Sequence, residues 1–365
     1  MSRFLSGKLK RLVPYVPGEQ PKGMEYIKLN TNESPFPPSQ AVLDALDSKE
    51  TSRLNLYSDP TLSELRHAIA ERYGVSDDMV FAGNGSDEVL AFSFYAYGEN
   101  GVTAPDISYG FYPVFADFFG IRLDKIPLRD DLSIDLEEFC SAKGTLVFAN
   151  PNAQTGLYLE KSDIEKIVSS DRERIVIVDE AYIDFGGESA ASLTGKYDNL
   201  IVVQTFSKSR NLAGARVGFA IASPALVRDL DTLRNSYNPY NINRLSLIAG
   251  KMAMSDVEYF SKCTSEIIRV RELVKKELRE RGFKVTDSMA NFVLAESGCI
   301  SGKDFYSELK SRGVLVRYLG DKRIENCVRI TIGTEEQMRV LLKKTDEILS
   351  AITNTKQRRH GDENG

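Results

Sequence analysis

The residues with the greatest chemical reach in this 365-residue chain lie between Thr205 and Arg216, in the run T-F-S-K-S-R-N-L-A-G-A-R. Lys208 brings an amine that becomes a nucleophile or general base when desolvated, and Arg216 a guanidinium whose fork matches phosphate or carboxylate. Asp179 follows the aliphatic run Ile175-Val176-Ile177-Val178, where an acid is costly unless a cation faces it. It therefore reads as functional, with a helix N-cap as the other use of an aspartate in that place. Ser86 and Asp87, in G-N-G-S-D-E, open a helical pattern whose free N–H groups and positive dipole end suit a phosphate, although ordinary helices begin with the same letters. Asn152 in N-P-N adds an amide, and Tyr109 in Y-G-F-Y adds an aromatic face able to stack on a planar ring.

These groups can act together only if the elements that carry them end at one place. Segments 79–82, 145–149, 174–178 and 199–204 are almost continuously aliphatic, the pattern of strands buried on both faces of a parallel sheet. Ser86, Asn152, Asp179 and the Ser207-Lys208 pair follow these four segments, and ligands collect at the carboxyl ends of such strands. Between them, Ser39 is placed to cap a helix over 41–46, and Leu62, Leu65, Ile69 and Tyr73 give a helical stripe that stops at Gly74. From Leu245 one long helical stretch is expected through Arg281, then shorter strands near 290–295, 314–317 and 327–332, the last carrying Arg329 on one face. The expected division is an extended arm over 1–28, a large α/β domain over 29–245, a smaller α+β domain over 246–353 and a disordered polar tail over 354–365.

Composition removes several alternatives. A net charge of −5 with scattered basic residues does not support nucleic-acid binding and points to small-molecule substrates. The four cysteines form no C-x-x-C pair, which suits a reducing compartment and argues against zinc; no metal is expected. His67 and His360 are the only histidines, so a Ser-His or Cys-His nucleophile has almost nothing to draw on. No run reaches membrane-spanning length, and a cytoplasmic protein with no membrane partner is expected. Glu88 stands where the third glycine of G-x-G-x-x-G belongs, which disfavours a nicotinamide dehydrogenase.

An amine, an acid, phosphate-binding amides, an arginine and an aromatic face are what pyridoxal 5'-phosphate requires. The amine joins the cofactor covalently, and the acid keeps the ring nitrogen protonated so that the ring accepts carbanion electrons. In order and spacing the chain resembles the fold-type I aminotransferases, an α/β fold with a mostly parallel sheet sandwiched by helices plus a smaller α+β domain. Within them it is similar to the histidinol-phosphate aminotransferase subgroup. The resemblance is carried by L-N-T-N-E-S-P at Leu29, G-N-G-S-D-E, N-P-N-x-x-T-G at Asn150, D-E-A-Y at Asp179, S-K at Ser207 and L-A-G-x-R-x-G at Leu212.

The resemblance implies that Lys208 is the covalent anchor and base, that Asp179 partners the ring nitrogen, and that Asn152 and Tyr182 hold the phenolic oxygen. It implies that Tyr109 stacks on the ring, while the Ser86 and Asp87 amides, Ser207 and Arg216 bind the phosphate. Arg329 would take a substrate carboxylate, Tyr15, Asn32 and Arg317 would be further substrate contacts, and Tyr57 would reach the cofactor phosphate of the other subunit of a homodimer with shared sites. One departure stands out, since the family commonly has N-N-P-T-G where this chain has Asn152-Ala153-Gln154-Thr155-Gly156. The implied reaction is transamination between histidinol phosphate and 2-oxoglutarate, giving imidazole acetol phosphate and glutamate. An aromatic amino-acid aminotransferase and a threonine-phosphate decarboxylase share nearly every one of these residues, and a non-catalytic ligand sensor would need a lost lysine or an added basic helix-turn-helix, neither of which is seen.

Overall fold

The computed structural model describes residues 2–10, 12–21 and 25–362. Its centre is a seven-stranded sheet in the order Val80–Gly83, Gly218–Ala222, Leu200–Thr205, Val176–Asp179, Thr145–Ala149, Val102–Pro105, Leu123–Ile126. All strands run parallel except Gly218–Ala222, which is antiparallel to both neighbours. The four segments read as strands are therefore parallel, and their carboxyl ends share one edge. Register makes the convergence tight, because Asp179 pairs with Ala149 on one side and Val203 on the other.

The aliphatic runs alternate between two cores. Leu146, Phe148, Val176, Val178, Leu200 and Val202 pack on one face, against helices Ser63–Tyr73, Lys161–Ser170 and Arg244–Ser255. Val147, Ile177, Ile201 and Val203 pack on the other, against Gly85–Tyr97, Tyr112–Phe119 and Pro224–Tyr237. A strand buried on both faces can spare no polar residue until it ends, which is why the chemistry-bearing side chains cluster at the sheet edge.

A second, four-stranded antiparallel sheet has the order Arg317–Tyr318, Cys327–Thr331, Phe292–Ser297, Phe283–Val285, and is covered by Val257–Glu280, Gly302–Ser311 and Glu335–Asp362. Several expected boundaries move. The single helical stretch from Leu245 is two helices, Arg244–Ser255 and Val257–Glu280, divided at Asp256, whose side chain caps the second by accepting from Tyr259 N. Ala249, Ala253 and Met254 of the first helix belong to the large-sheet core, so packing divides at Asp256 rather than between 245 and 246. At the other end Ile27–Lys28 pairs in parallel with Val314–Leu315, and Leu29 lies in the smaller core, so the segment entering the large domain is first a strand of the small one.

The last helix spans Glu335–Asp362, so the described part of the expected tail is helical. Residues 363–365 of that tail lie outside the described ones. Among the described residues no helix is long and apolar enough to cross a membrane.

Candidate active site

At the carboxyl edge of the large sheet lies a cavity of about 260 Å³, lined in part by Ser86, Asp87, Tyr109, Asp179, Tyr182, Ser207, Lys208 and Arg216. Eight of the residues singled out in the sequence thus face one space. Lys208 follows the strand Leu200–Thr205, and its Nζ donates to the Thr31 carbonyl at 3.1 Å. Burial lowers the Lys208 pKa to about 8, with the positive charge of Arg329 acting the same way and the Glu33 and Asp87 carboxylates against it.

Asp179 closes its strand and is 3% exposed. One carboxylate oxygen accepts from the Ala181 amide at 3.2 Å and the other from the Tyr112 hydroxyl at 2.9 Å. Burial raises its pKa to about 6, opposed by those two hydrogen bonds and by Lys208, and reinforced by the Asp87 charge. Asp179 is thus not acting as a free N-cap: its two oxygens are fixed and its carboxylate lines the cavity.

Tyr112 does not stand out in the sequence, where it is one more member of the Tyr109-to-Tyr112 aromatic cluster. A tyrosine 1% exposed among apolar side chains must still place its hydroxyl, and that requirement is the signal that could have found it.

Ser86 and Asp87, in the first turn of helix Gly85–Tyr97, line the cavity. Gly85 has φ +78°, and a Cβ there would lie 2.5 Å from Arg216 Nη2; on Gly218 a Cβ would lie 2.2 Å from Ser86 N. Two glycines therefore let the helix start, the neighbouring strand and a guanidinium converge closely. Arg216 Nη2 donates to Asp87 at 2.8 Å, and Tyr109 donates its hydroxyl to the other Asp87 oxygen at 2.7 Å. Ser207 N donates to Thr205 Oγ1, which in turn donates to Ser207 Oγ. A cation, helix-start amides and two hydroxyls within one cradle form a donor set for a phosphate, next to an amine and a carboxylate, so the residues present fit pyridoxal 5'-phosphate.

Tyr182, buried and lining the same cavity, accepts at its hydroxyl from Asn32 Nδ2 at 3.0 Å, and burial raises its pKa. Asn32 itself is 1% exposed and reaches the site through Tyr182. Asn152 does not line the cavity: Nδ2 donates to the Ile107 carbonyl at 2.8 Å, and Oδ1 accepts from the Gln154 and Thr155 amides. Its side chain shapes the loop whose Ala153 lines the space.

Tyr57 is also absent from the cavity. It is 78% exposed and stacks on Tyr240 with ring centroids 4.4 Å apart.

A second cavity of about 420 Å³ adjoins the first, with Tyr109 lining both. Tyr15, Gln154, Arg317 and Arg329 line it. Arg329 Nη1 donates to Ala153 O and Gln154 Oε1, each at 2.9 Å, and burial lowers the pKa of its guanidinium. Arg317 donates to the Val16 and Pro17 carbonyls, and the Tyr15 ring lies 4.4 Å from that of Phe111. Val13, Pro14, Tyr15 and Val16 of the arm line this second cavity.

Residues 24–344 match the aminotransferase class I and II family. The chain belongs to the class I and II aminotransferases. This family depends on pyridoxal 5'-phosphate. The aminotransferase is 47% identical over 352 residues to the histidinol-phosphate aminotransferase of Clostridium acetobutylicum, covering 96% of this chain and 100% of that one. It is 48% identical over 352 residues to the histidinol-phosphate aminotransferase of Brachyspira hyodysenteriae, covering 96% and 99%. In structure it is similar to the histidinol-phosphate aminotransferase of Sinorhizobium meliloti in complex with pyridoxal 5'-phosphate, with TM-score 0.87, 22% identity and coverage of 96% and 99%. An aspartate aminotransferase of Thermus thermophilus with maleate superposes with TM-score 0.81 at 19% identity, covering 95% and 100%. The aminotransferase thus has the fold-type I architecture its motifs implied.

Proposed function

We propose that this aminotransferase moves the amino group of histidinol phosphate to 2-oxoglutarate, yielding imidazole acetol phosphate and glutamate, as a cytoplasmic homodimer with shared active sites. The observation that carries the reading is the pairing of two cavities: one that fits the cofactor, and beside it one lined by Arg317 and Arg329, suited to the phosphate of one substrate and the carboxylates of the other. The names of the near-full-length relatives agree with it.

When bound, pyridoxal 5'-phosphate supplies an electron sink for the charge left as the substrate α-carbon loses its proton. The residues do the rest. The Ser86 and Asp87 amides, Ser207 and Arg216 would hold the phosphate end, and Tyr109 would stack on the ring. Asp179, fixed by Tyr112 and the Ala181 amide, holds the proton of the ring nitrogen. Lys208 Nζ, already depressed toward neutrality by burial, anchors the cofactor and takes the α-carbon proton as general base. Tyr182, oriented by Asn32, donates at the phenolic oxygen, with Asn152 holding the loop below it. Arg329 takes the carboxylate, and Tyr15 and Arg317 enclose the phosphate-bearing end.

Dimerisation is supported by an exposed apolar group, Leu54, Leu56 and Tyr57 with Tyr240 stacked on the last. Tyr57 of the partner subunit would complete each phosphate site. Borohydride reduction of the loaded enzyme, followed by peptide mapping and an assay of glutamate formed from histidinol phosphate and 2-oxoglutarate, tests the reading. The label is expected on Lys208, and glutamate formation is expected to vanish in Lys208→Ala. A label on another lysine, or turnover in that variant, would overturn it.

A further inference from the structure

Arg329 is not held symmetrically. Both hydrogens of Nη1 are committed, one to the Ala153 carbonyl and one to Gln154 Oε1. Nε is buried with no partner, Nη2 makes no hydrogen bond among the described residues, and the Phe292 ring centroid lies 5.1 Å from the guanidinium carbon. Nη1 is thus fastened to the protein, whereas Nη2, unlike Nε, is not buried and is left with its donors unspent. Gln154 does the fastening, and it is itself anchored, because its Nε2 donates to the Ser108 carbonyl at 3.1 Å, one residue before Tyr109. Its amide ties the segment just before Tyr109 to the arginine, and Ser108, Gln154 and Arg329 all line the second cavity.

A guanidinium nitrogen left without an acceptor favours an arriving carboxylate or phosphate through charge-assisted hydrogen bonds. A neutral amide can orient such a group without cancelling its charge. A carboxylate in the same place would be a permanent internal counter-ion, competing with any anion that arrives.

We propose that Gln154 is a positioning residue for the anionic end of the substrate: its amide oxygen fixes the Nη1 side of Arg329 and leaves Nη2, free of any acceptor among the described residues, to receive that anion. The inference rests on the reading of Arg329 as the anion site given above. It accounts for how Gln154, in the loop where this chain departs from the commoner N-N-P-T-G, takes part in that site: it reaches Arg329 with an amide oxygen that a proline in the same place lacks.

The test uses the loaded enzyme and two non-reacting probes, maleate and inorganic phosphate, with dissociation constants read by titration calorimetry. The affinity for pyridoxal 5'-phosphate is measured alongside. Gln154→Glu should weaken both probes by about tenfold or more, and Gln154→Met, similar in length but without a strong acceptor, by about two- to fivefold, with cofactor affinity held within about twofold. If Gln154→Glu binds both probes as wild type does while Arg329→Ala has lost them, the role of Gln154 is wrong and the anion site stands. If Arg329→Ala still binds both probes, or wild type binds neither, the anion site fails and this inference with it. Cofactor affinity falling in parallel with the probes would make Gln154 a support of the loop alone and would equally overturn the proposal.

Discussion

At the scale of single residues, the site depends on two groups whose pKa values burial draws toward neutrality. Lys208, brought down to about 8, is increasingly neutral as pH rises through that value, whereas a solvated lysine needs a pH above 10. The rate at which cofactor-free protein captures pyridoxal 5'-phosphate should therefore rise with a midpoint near pH 8 in an absorbance time course. A rate still climbing tenfold per pH unit at pH 9.5 would contradict it.

Asp179 is shifted the other way, from 3.8 to about 6. A carboxyl whose folded pKa is raised contributes stability that is complete below the unfolded pKa and lost as pH climbs through the folded one. Cofactor-free Asp179→Asn should accordingly be more stable than wild type at pH 8, by about 2–3 kcal/mol, and lose that advantage near pH 4, while its transamination collapses. Denaturant melts at the two pH values, with a turnover assay, check both halves; near-normal turnover would reduce Asp179 to a structural acid. Asp179 was legible in the sequence because a charge that ends a buried aliphatic run is rarely tolerated without a partner or a task, and Lys208 because it follows another such run at the same sheet edge. The Tyr112–Asp179 and Gln154–Arg329 contacts were not, because each joins segments 67 and 175 residues apart and no local pattern encodes the meeting.

At the scale of elements, the phosphate cradle is made by the close approach of helix Gly85–Tyr97 to strand Gly218–Ala222. A methyl group on Gly218 would meet backbone atoms of Gly85 and Ser86 at 2.4 and 2.2 Å, which cannot rotate away as a flexible side chain could. Gly218→Ala should therefore part strand from helix start, weakening cofactor affinity by about tenfold or more and costing about 1–3 kcal/mol of stability. Cofactor titration and denaturant melts would show it, and an unchanged affinity would mean that the helix start is not where the phosphate sits.

The strands themselves were plain in the sequence because burial on both faces leaves a continuous aliphatic signature. The break at Asp256 was not, since the apolar periodicity runs on through it and only the Asp256 cap on Tyr259 N separates the two helices. Nor was the pairing of Ile27–Lys28 with Val314–Leu315, a two-residue strand whose partner lies almost the whole chain away.

At the scale of the whole molecule, this chain brings to one cavity the cofactor contacts its motifs implied, apart from Asn152, whose side chain bonds the Ile107 carbonyl and the Gln154 and Thr155 amides, and Tyr57, which faces outward. If Tyr57 serves the partner subunit, a Tyr57-defective chain and a Lys208-defective chain should complement. Random reassortment makes about half the dimers mixed, each with one intact site, so about a quarter of wild-type activity should return. Activity that stays at the level of the parents, under conditions where subunits demonstrably exchange, would assign Tyr57 to its own subunit.

On the proposed function, the two adjoining cavities together select histidinol phosphate. The most direct measurement is a single-turnover series in which the loaded enzyme, without oxo acid, meets histidinol phosphate, phenylalanine, tyrosine or threonine phosphate, and the loss of its cofactor absorbance band is timed. Histidinol phosphate should react with a second-order rate constant about 100-fold or more above the others, with no carbon dioxide released. Equal rates with the aromatic amino acids, or carbon dioxide evolved from threonine phosphate, would contradict the account.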